Sequence, residues 1–155
     1  MLITSHLLAT LLASRGLSLN NVEIYVALIA GVGIDIDHVF VNGKWVQDAK
    51  NFFLGRQIIS DGNQHTWLQE FLFGSAVGIA GGLLVHSFFP TIRWWISPFF
   101  LLFHILMDSI EKYDHWPLAP FSRYKYRGFV PFGTRIELAI SSIGLLVYFI
   151  FIIWL

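Results

Sequence analysis

A chain of 155 residues is one domain by length, and 55% of it is hydrophobic, 17% aromatic and only 13% charged. Soluble domains carry about a quarter of charged residues, so that composition excludes an ordinary soluble protein. Ten basic and ten acidic residues leave zero formal charge, giving no electrostatic footprint for nucleic acid, and the lack of cysteine rules out thiolate metal sites and disulfides.

Several apolar runs approach the roughly 20 residues that span a bilayer. The sequence therefore predicts an all-α integral membrane protein: one domain over 1–155, a bundle of four to five transmembrane helices with a polar site at one membrane face. No basic segment precedes the first apolar run, so a cleaved signal peptide is not expected. Helix A, Leu2 to Ser14, carries His6 near its start and is short for a span. Arg15-Gly16 ends it, and Ser18 to Asn21 lead into helix B, Val22 to Val41.

Helix B closes on Gly33-Ile34-Asp35-Ile36-Asp37-His38. Ionisable groups in a membrane-length segment are expensive and mark functional sites by default. On a helix, Asp35 and His38 share a face that Gly31 and Ala27 continue, while Asp37 points elsewhere unless the helix has unwound. Read alone, the stretch fits a capped helix end as well as a metal site. Trp45 to Ile59 then mixes aromatic, aliphatic and basic residues, as an interfacial segment does.

Helix C, Thr66 to Phe89, follows His65. Its Glu70, Gly74, Gly78 and Gly82 fall at four-residue steps, a ladder that lets helices pack closely in lipid and points Glu70 into the bundle. His86, at the other end near Phe88, Phe89, Trp94 and Trp95, reads as a packing histidine. Helix D, Ile92 to Glu111, bears His104 and Asp108 one turn apart. His115 lies beyond it beside Asp114 and Trp116, where solvation is expected. Helix E, Ile136 to Leu155, is apolar apart from Glu137 and reads as a simple span.

Helices B to E alternate in direction, so the B–C and D–E loops lie on one side. Those loops hold Lys44, Lys50, Arg56, Lys112, Arg123, Lys125, Arg127 and Arg135, eight of the ten basic residues. The positive-inside rule makes that side cytoplasmic and the protein a multi-pass inner-membrane protein. The same side collects His6, Asp35, Asp37, His38, His65, Glu70, His104 and Asp108 from four helices. The pair His104 and Asp108 can offer two ligands from one helix face. Imidazole with carboxylate, and no thiolate, favours zinc or another borderline divalent ion. The candidates outnumber one tetrahedral shell, so two ions, or one with outer carboxylates, both fit.

The order Asp35-Ile-Asp-His38, His65-Thr66, His104-x-x-x-Asp108, then Trp116-Pro117-Leu-Ala-Pro120-Phe121-Ser122 and Gly133-Thr134-x-x-Glu137, resembles the YdjM-type family of membrane-bound metal-dependent hydrolases. That family is in turn distantly similar to zinc-dependent phospholipase C. The resemblance runs from His6 to Glu137 and implies His6, Asp35, Asp37, His38, His65, His104 and Asp108 as metal-site residues. The sequence departs from the family pattern at Asp61 to Gln64, where a basic residue and glycine usually precede the His-Thr pair.

The expected function is hydrolysis at the cytoplasmic membrane interface, on a phosphoester or phospholipid drawn from the bilayer. A bound divalent metal, most simply zinc, would bring the pKa of water to about 7. Asp37 or Glu70 is the candidate general base. Arg123, Lys125, Arg127 and Arg135, with Tyr124 and Tyr126, are candidates for holding an anionic head group, although positive-inside topology accounts for them equally well. The alternatives are non-enzymatic. One is a b-type haem carrier using His38 and His104; the other is an assembly or scaffold subunit with a structural metal. An ion-translocating subunit is disfavoured, because the far half of the helices has almost no ionisable residue.

Overall fold

The computed structural model describes residues 2–36, 50, 51, 54, 68, 70–112, 114–131 and 134–154. Five α-helices lie among them: α1 (Ile3–Gly16), α2 (Asn21–Gly31), α3 (Phe71–Phe88), α4 (Ile96–Ser109) and α5 (Arg135–Trp154). The protein is thus mostly helical, as its sequence predicts. Two helices are long and apolar enough to cross a membrane, through the windows Phe71–Phe88 and Arg135–Ile152. The other three have 14, 11 and 14 residues. At 1.5 Å per residue, 14 residues extend about 21 Å, short of a hydrocarbon core of about 30 Å.

Local chemistry explains where these helices stop. Asn20 caps α2: its side chain accepts from Glu23 N–H at 3.0 Å, and Glu23 accepts from Asn20 N–H at 3.1 Å. This reciprocal pair satisfies two donors that a bare helix start leaves open. Helix B does not run on to Val41. Gly31 and Gly33 flank Val32, and glycine is a poor helix former; the chain tightens there into the 3₁₀ segment Gly33–Ile36, with Asp35 N–H donating to Val32 at 3.1 Å. Helix α4 starts at Ile96, since Ile92 to Trp95 form a turn after Pro90. Pro98 is tolerated in its first turn, where backbone N–H groups have no intrahelical partner.

Helix α4 is the centre of the packing, flanked by α3 and α2 and touched by α1, while α5 sits against the outer side of α1. Ala27, Ala30, Ile96 and Phe100 form the apolar contact between α2 and α4. The glycine ladder faces α4 as expected. A Cβ on Gly78 would lie 2.9 Å from Pro98 Cα, and one on Gly82 would overlap the Trp94 carbonyl. Removing side chains at these positions is what lets the two backbones approach.

Polar contacts sort the helix ends onto two levels. At one level, Arg93 donates from Nε and Nη2 to Glu23 at 2.7 and 2.6 Å, and His86 Nδ1 bonds the Ile92 carbonyl at 2.8 Å. At the other, Leu2 N–H and Ser5 Oγ donate to Glu137 Oε1, each at 2.8 Å, and Thr4 meets Ser141 at 2.7 Å. The starts of α1, α3 and α5 therefore share a level with the ends of α2 and α4. Glu137 is more than an exception in a simple span, because it fastens α5 to α1.

The ladder yields a paired expectation. Gly82→Ala should lower stability by about 1–3 kcal/mol through overpacking. Gly81→Ala, with only Ser97 Oγ at 3.5 Å, should be neutral or gain up to about 1 kcal/mol of helix propensity. Thermal unfolding of the two variants in detergent separates these outcomes.

Candidate metal centre

The centre is built from three helices and the 3₁₀ segment. Helix α4 contributes His104 and Asp108 from one face, both buried. The Nδ1 of His104 lies 3.0 Å from the Gly31 carbonyl, so this nitrogen carries the proton and donates. That bond fixes the tautomer, and Nε2 of the neutral ring presents a lone pair. Yet Nε2 faces Asp108 Oδ2 at 3.2 Å and Asp35 Oδ1 at 3.4 Å, and among the described residues it meets no hydrogen-bond partner in good geometry. A lone pair confronting two carboxylate oxygens in a buried space is unfavourable unless positive charge lies between them.

Helix α1 completes the group with His6, which is 1% exposed. Its Nε2 is 2.9 Å from Asp108 Oδ1, its ring stacks on His104 with centroids 3.9 Å apart, and its buried Nδ1 has no hydrogen-bond partner among the described residues. One donor atom from each of His6, Asp35, His104 and Asp108 lies within 4.8 Å of all the others. In a tetrahedral site with ligands at 2.0–2.2 Å, neighbouring donors are about 3.3–3.6 Å apart. The two separations around His104 Nε2 match that spacing. The group could hold a metal ion, and its nitrogen and oxygen donors suit zinc, iron or manganese alike.

The route by which Asp35 arrives differs from the helix-face expectation. Its segment has left the α-helix, so it reaches His104 from a 3₁₀ turn four residues beyond Gly31. Gly31 itself lies close to α1, where a Cβ would stand 2.6 Å from Thr10 Oγ1. Asp37, His38 and His65 lie outside the described residues. Glu70 is buried at the N-cap of α3, and both its oxygens accept from Trp116 N–H, at 3.0 and 2.9 Å. Burial raises its pKa above the usual carboxylate value, against the lowering pull of that bond. It is not a member of the four-residue group.

The basic and aromatic residues of the final loop are held beside the same end of α4. Two short strands, β1 (Asp114–His115) and β2 (Tyr126–Arg127), pair antiparallel. Phe129 and Val130 N–H groups donate to the Ile110 carbonyl at 2.9 and 3.0 Å, and Lys112 N–H donates to Val130 at 2.7 Å. Arg123, Arg127 and Arg135 are exposed at their places in this loop and at the start of α5. Lys125 pairs with Asp114 at 2.6 Å and lies over the Trp116 ring at 5.8 Å.

His115, expected to be solvated, is only 4% exposed. It lies 6.2 Å from Tyr126 and bonds the Asp108 backbone, and burial lowers its pKa. Glu111 is buried at the same level, 2% exposed. Glu111 extends the helix stripe of His104 and Asp108 that the sequence shows, whereas the burial of His115 has no local signal, because the strand beside it comes from a separate part of the chain. His86, by contrast, keeps to the opposite level as its position predicts.

A mostly helical chain with a buried two-histidine, two-aspartate group is therefore the class of protein that fold and site define. Comparison with protein-family models, curated protein sequences and solved structures finds no match, so the chemistry rests on this geometry.

His104→Ala and Asp108→Ala should abolish stoichiometric binding of a divalent transition ion, whereas His86→Ala should retain it. Gly31→Ala, which crowds Thr10 on α1 and shifts the carbonyl orienting His104, should weaken binding by about 10- to 100-fold, the usual scale for losing an outer-shell partner. Elemental analysis and equilibrium dialysis of the four purified variants measure both effects.

Proposed function

We propose that the chain is a membrane-embedded metal-dependent hydrolase of the YdjM type that acts on a phosphoester lipid at the cytoplasmic face of the inner membrane. The observation that carries this reading is the convergence of His6, Asp35, His104 and Asp108 on one buried space. Support for the membrane comes from α3 and α5, whose apolar windows are only 17% and 11% buried within the fold. A core helix of a soluble protein would hide those side chains; here Leu83, Leu84, Ile140 and Ile143 are more than half exposed. Support for an anionic substrate comes from Arg123, Arg127 and Arg135 near the Asp108 end of α4.

When bound, a divalent cation supplies a Lewis acid and a water that ionises near neutral pH. The chain does the rest. Gly31 orients His104, the rings of His6 and His104 flank Asp108, and the surrounding helices exclude bulk water. Glu70, with its raised pKa, and Asp37 remain the candidates to take the proton from water as it adds to phosphorus. The P–O bond to the alcohol then breaks, and the alcohol leaves with the proton that the base took from water. The basic loop residues and Tyr124 bind the phosphate without contributing to bond cleavage.

One observation favours a second reading. Four protein donors can close a tetrahedral shell, as structural sites do, and a scaffold subunit with a structural metal would need nothing more. A haem reading has less support, since two carboxylate oxygens crowd the His104 nitrogen that iron would need.

In vesicles, the metal-loaded protein should release head group from phospholipid, lose that activity to a chelator and regain it with zinc. Arg123→Gln with Arg127→Gln should raise KM several-fold and leave kcat nearly unchanged. Full metal occupancy with no turnover of any phosphoester would favour the scaffold. Sidedness has its own readout: Lys50 and Arg127 should react with impermeant reagents only from the cytoplasmic face, and labelling from outside intact cells would reverse the topology.

A further inference from the structure

A groove of about 440 Å³ opens between α1 and α5 beside the Asp108 end of α4. Ser5, Leu8 and Leu12 form one wall, Met107 the floor, and Glu137 and Ile140 the other wall. Ser5 directly precedes His6, and Met107 directly precedes Asp108. Successive helix residues point about 100° apart, so the groove and the buried group occupy adjoining sides of the same two helices.

The groove is graded in polarity. Its Ser5 end holds Glu137, which accepts from Leu2 N–H and Ser5 Oγ. From there it turns aliphatic along Leu8, Leu12 and Ile140, with Ser141 buried and engaged by Thr4. Ser5 to Leu12 covers about 10 Å of helix rise. The head-group-proximal half of an extended acyl chain runs that length, and the polar end stands level with His6, where the head-group side of a lipid would lie.

We propose that this groove holds the head-group-proximal half of one acyl chain of the lipid whose head group is presented to the buried His/Asp group. The head-group half of this statement rests on the hydrolase reading; the acyl-chain half does not.

The test uses the full-length metal-loaded protein in phosphatidylcholine vesicles doped with phosphatidylglycerol bearing a diazirine in the head-group-proximal half of one acyl chain. Leu12 and Ile140 in the groove, and Leu83 and Leu84 on α3, are all more than half exposed, so exposure alone predicts equal labelling. A groove site predicts at least fivefold more crosslinking at Leu12 and Ile140, reaching a plateau with probe fraction while labelling of α3 rises linearly. Ala9→Phe, which fills the groove, should remove that excess and leave metal content unchanged. Uniform labelling of the wild type, or linear rise at both places, overturns the proposal whether or not Ala9→Phe folds. The hydrolase reading fails separately: saturable groove labelling without turnover removes it alone, and turnover without groove preference removes the groove alone.

Discussion

Two carboxylates and two imidazoles share a buried space less than 5 Å across, and nothing about that arrangement is stable on hydrophobic grounds. Desolvating an ionised carboxylate is penalised by several kcal/mol unless a partner compensates it. The partner that Asp35 and Asp108 share is the His104 nitrogen, whose tautomer the Gly31 carbonyl has already fixed. A neutral ring then offers those oxygens a lone pair. Positive charge is required between them, as a proton on the ring or as a bound cation.

The remaining architecture follows from making that enclosure. Helix α4 bears two of the four side chains and occupies the middle of the packing. Gly74, Gly78 and Gly82 let α3 close on one side of it, and Ala27, Ala30 and Gly31 let α2 close on another. Small residues thus give up side-chain contacts of their own so that backbones approach, and one backbone carbonyl comes near enough to orient a ligand. Polar bonds between α1 and α5 then hold His6 at its level.

Much of this is legible in the sequence because it depends on period and depth. The spacing of His104 and Asp108, the glycine ladder, the alternation of helix direction and the separate level of His86 all follow from counting along single segments. The arrival of Asp35 does not. Its residue type is conspicuous, but Gly31 and Gly33 end the helix that would have carried it. The burial of His115 escapes detection for a different reason: its cover comes from 126–130, a loop without hydrophobic periodicity, while Glu111 simply extends the stripe of His104 and Asp108. Glu137 is visible as a lone acid in an apolar run, yet its partner Ser5 lies 132 residues away, beyond any local pattern.

The ion pair between Glu23 and Arg93, far from the centre, takes on a mechanical meaning in this light. Helix α2 is fastened by that pair to the turn that leads into α4 at one end, and to α4 itself by the bond from His104 to Gly31 at the other. A rod pinned at a single point can still swing; pinned at two, it can neither tilt nor slide along its neighbour. The forked geometry of Arg93, gripping both carboxylate oxygens, also resists twisting as a single contact would not. What looks like a surface salt bridge at the opposite level thereby sets the angle at which Asp35 meets His104, and the accuracy of the centre is maintained from the other end of the helix pair.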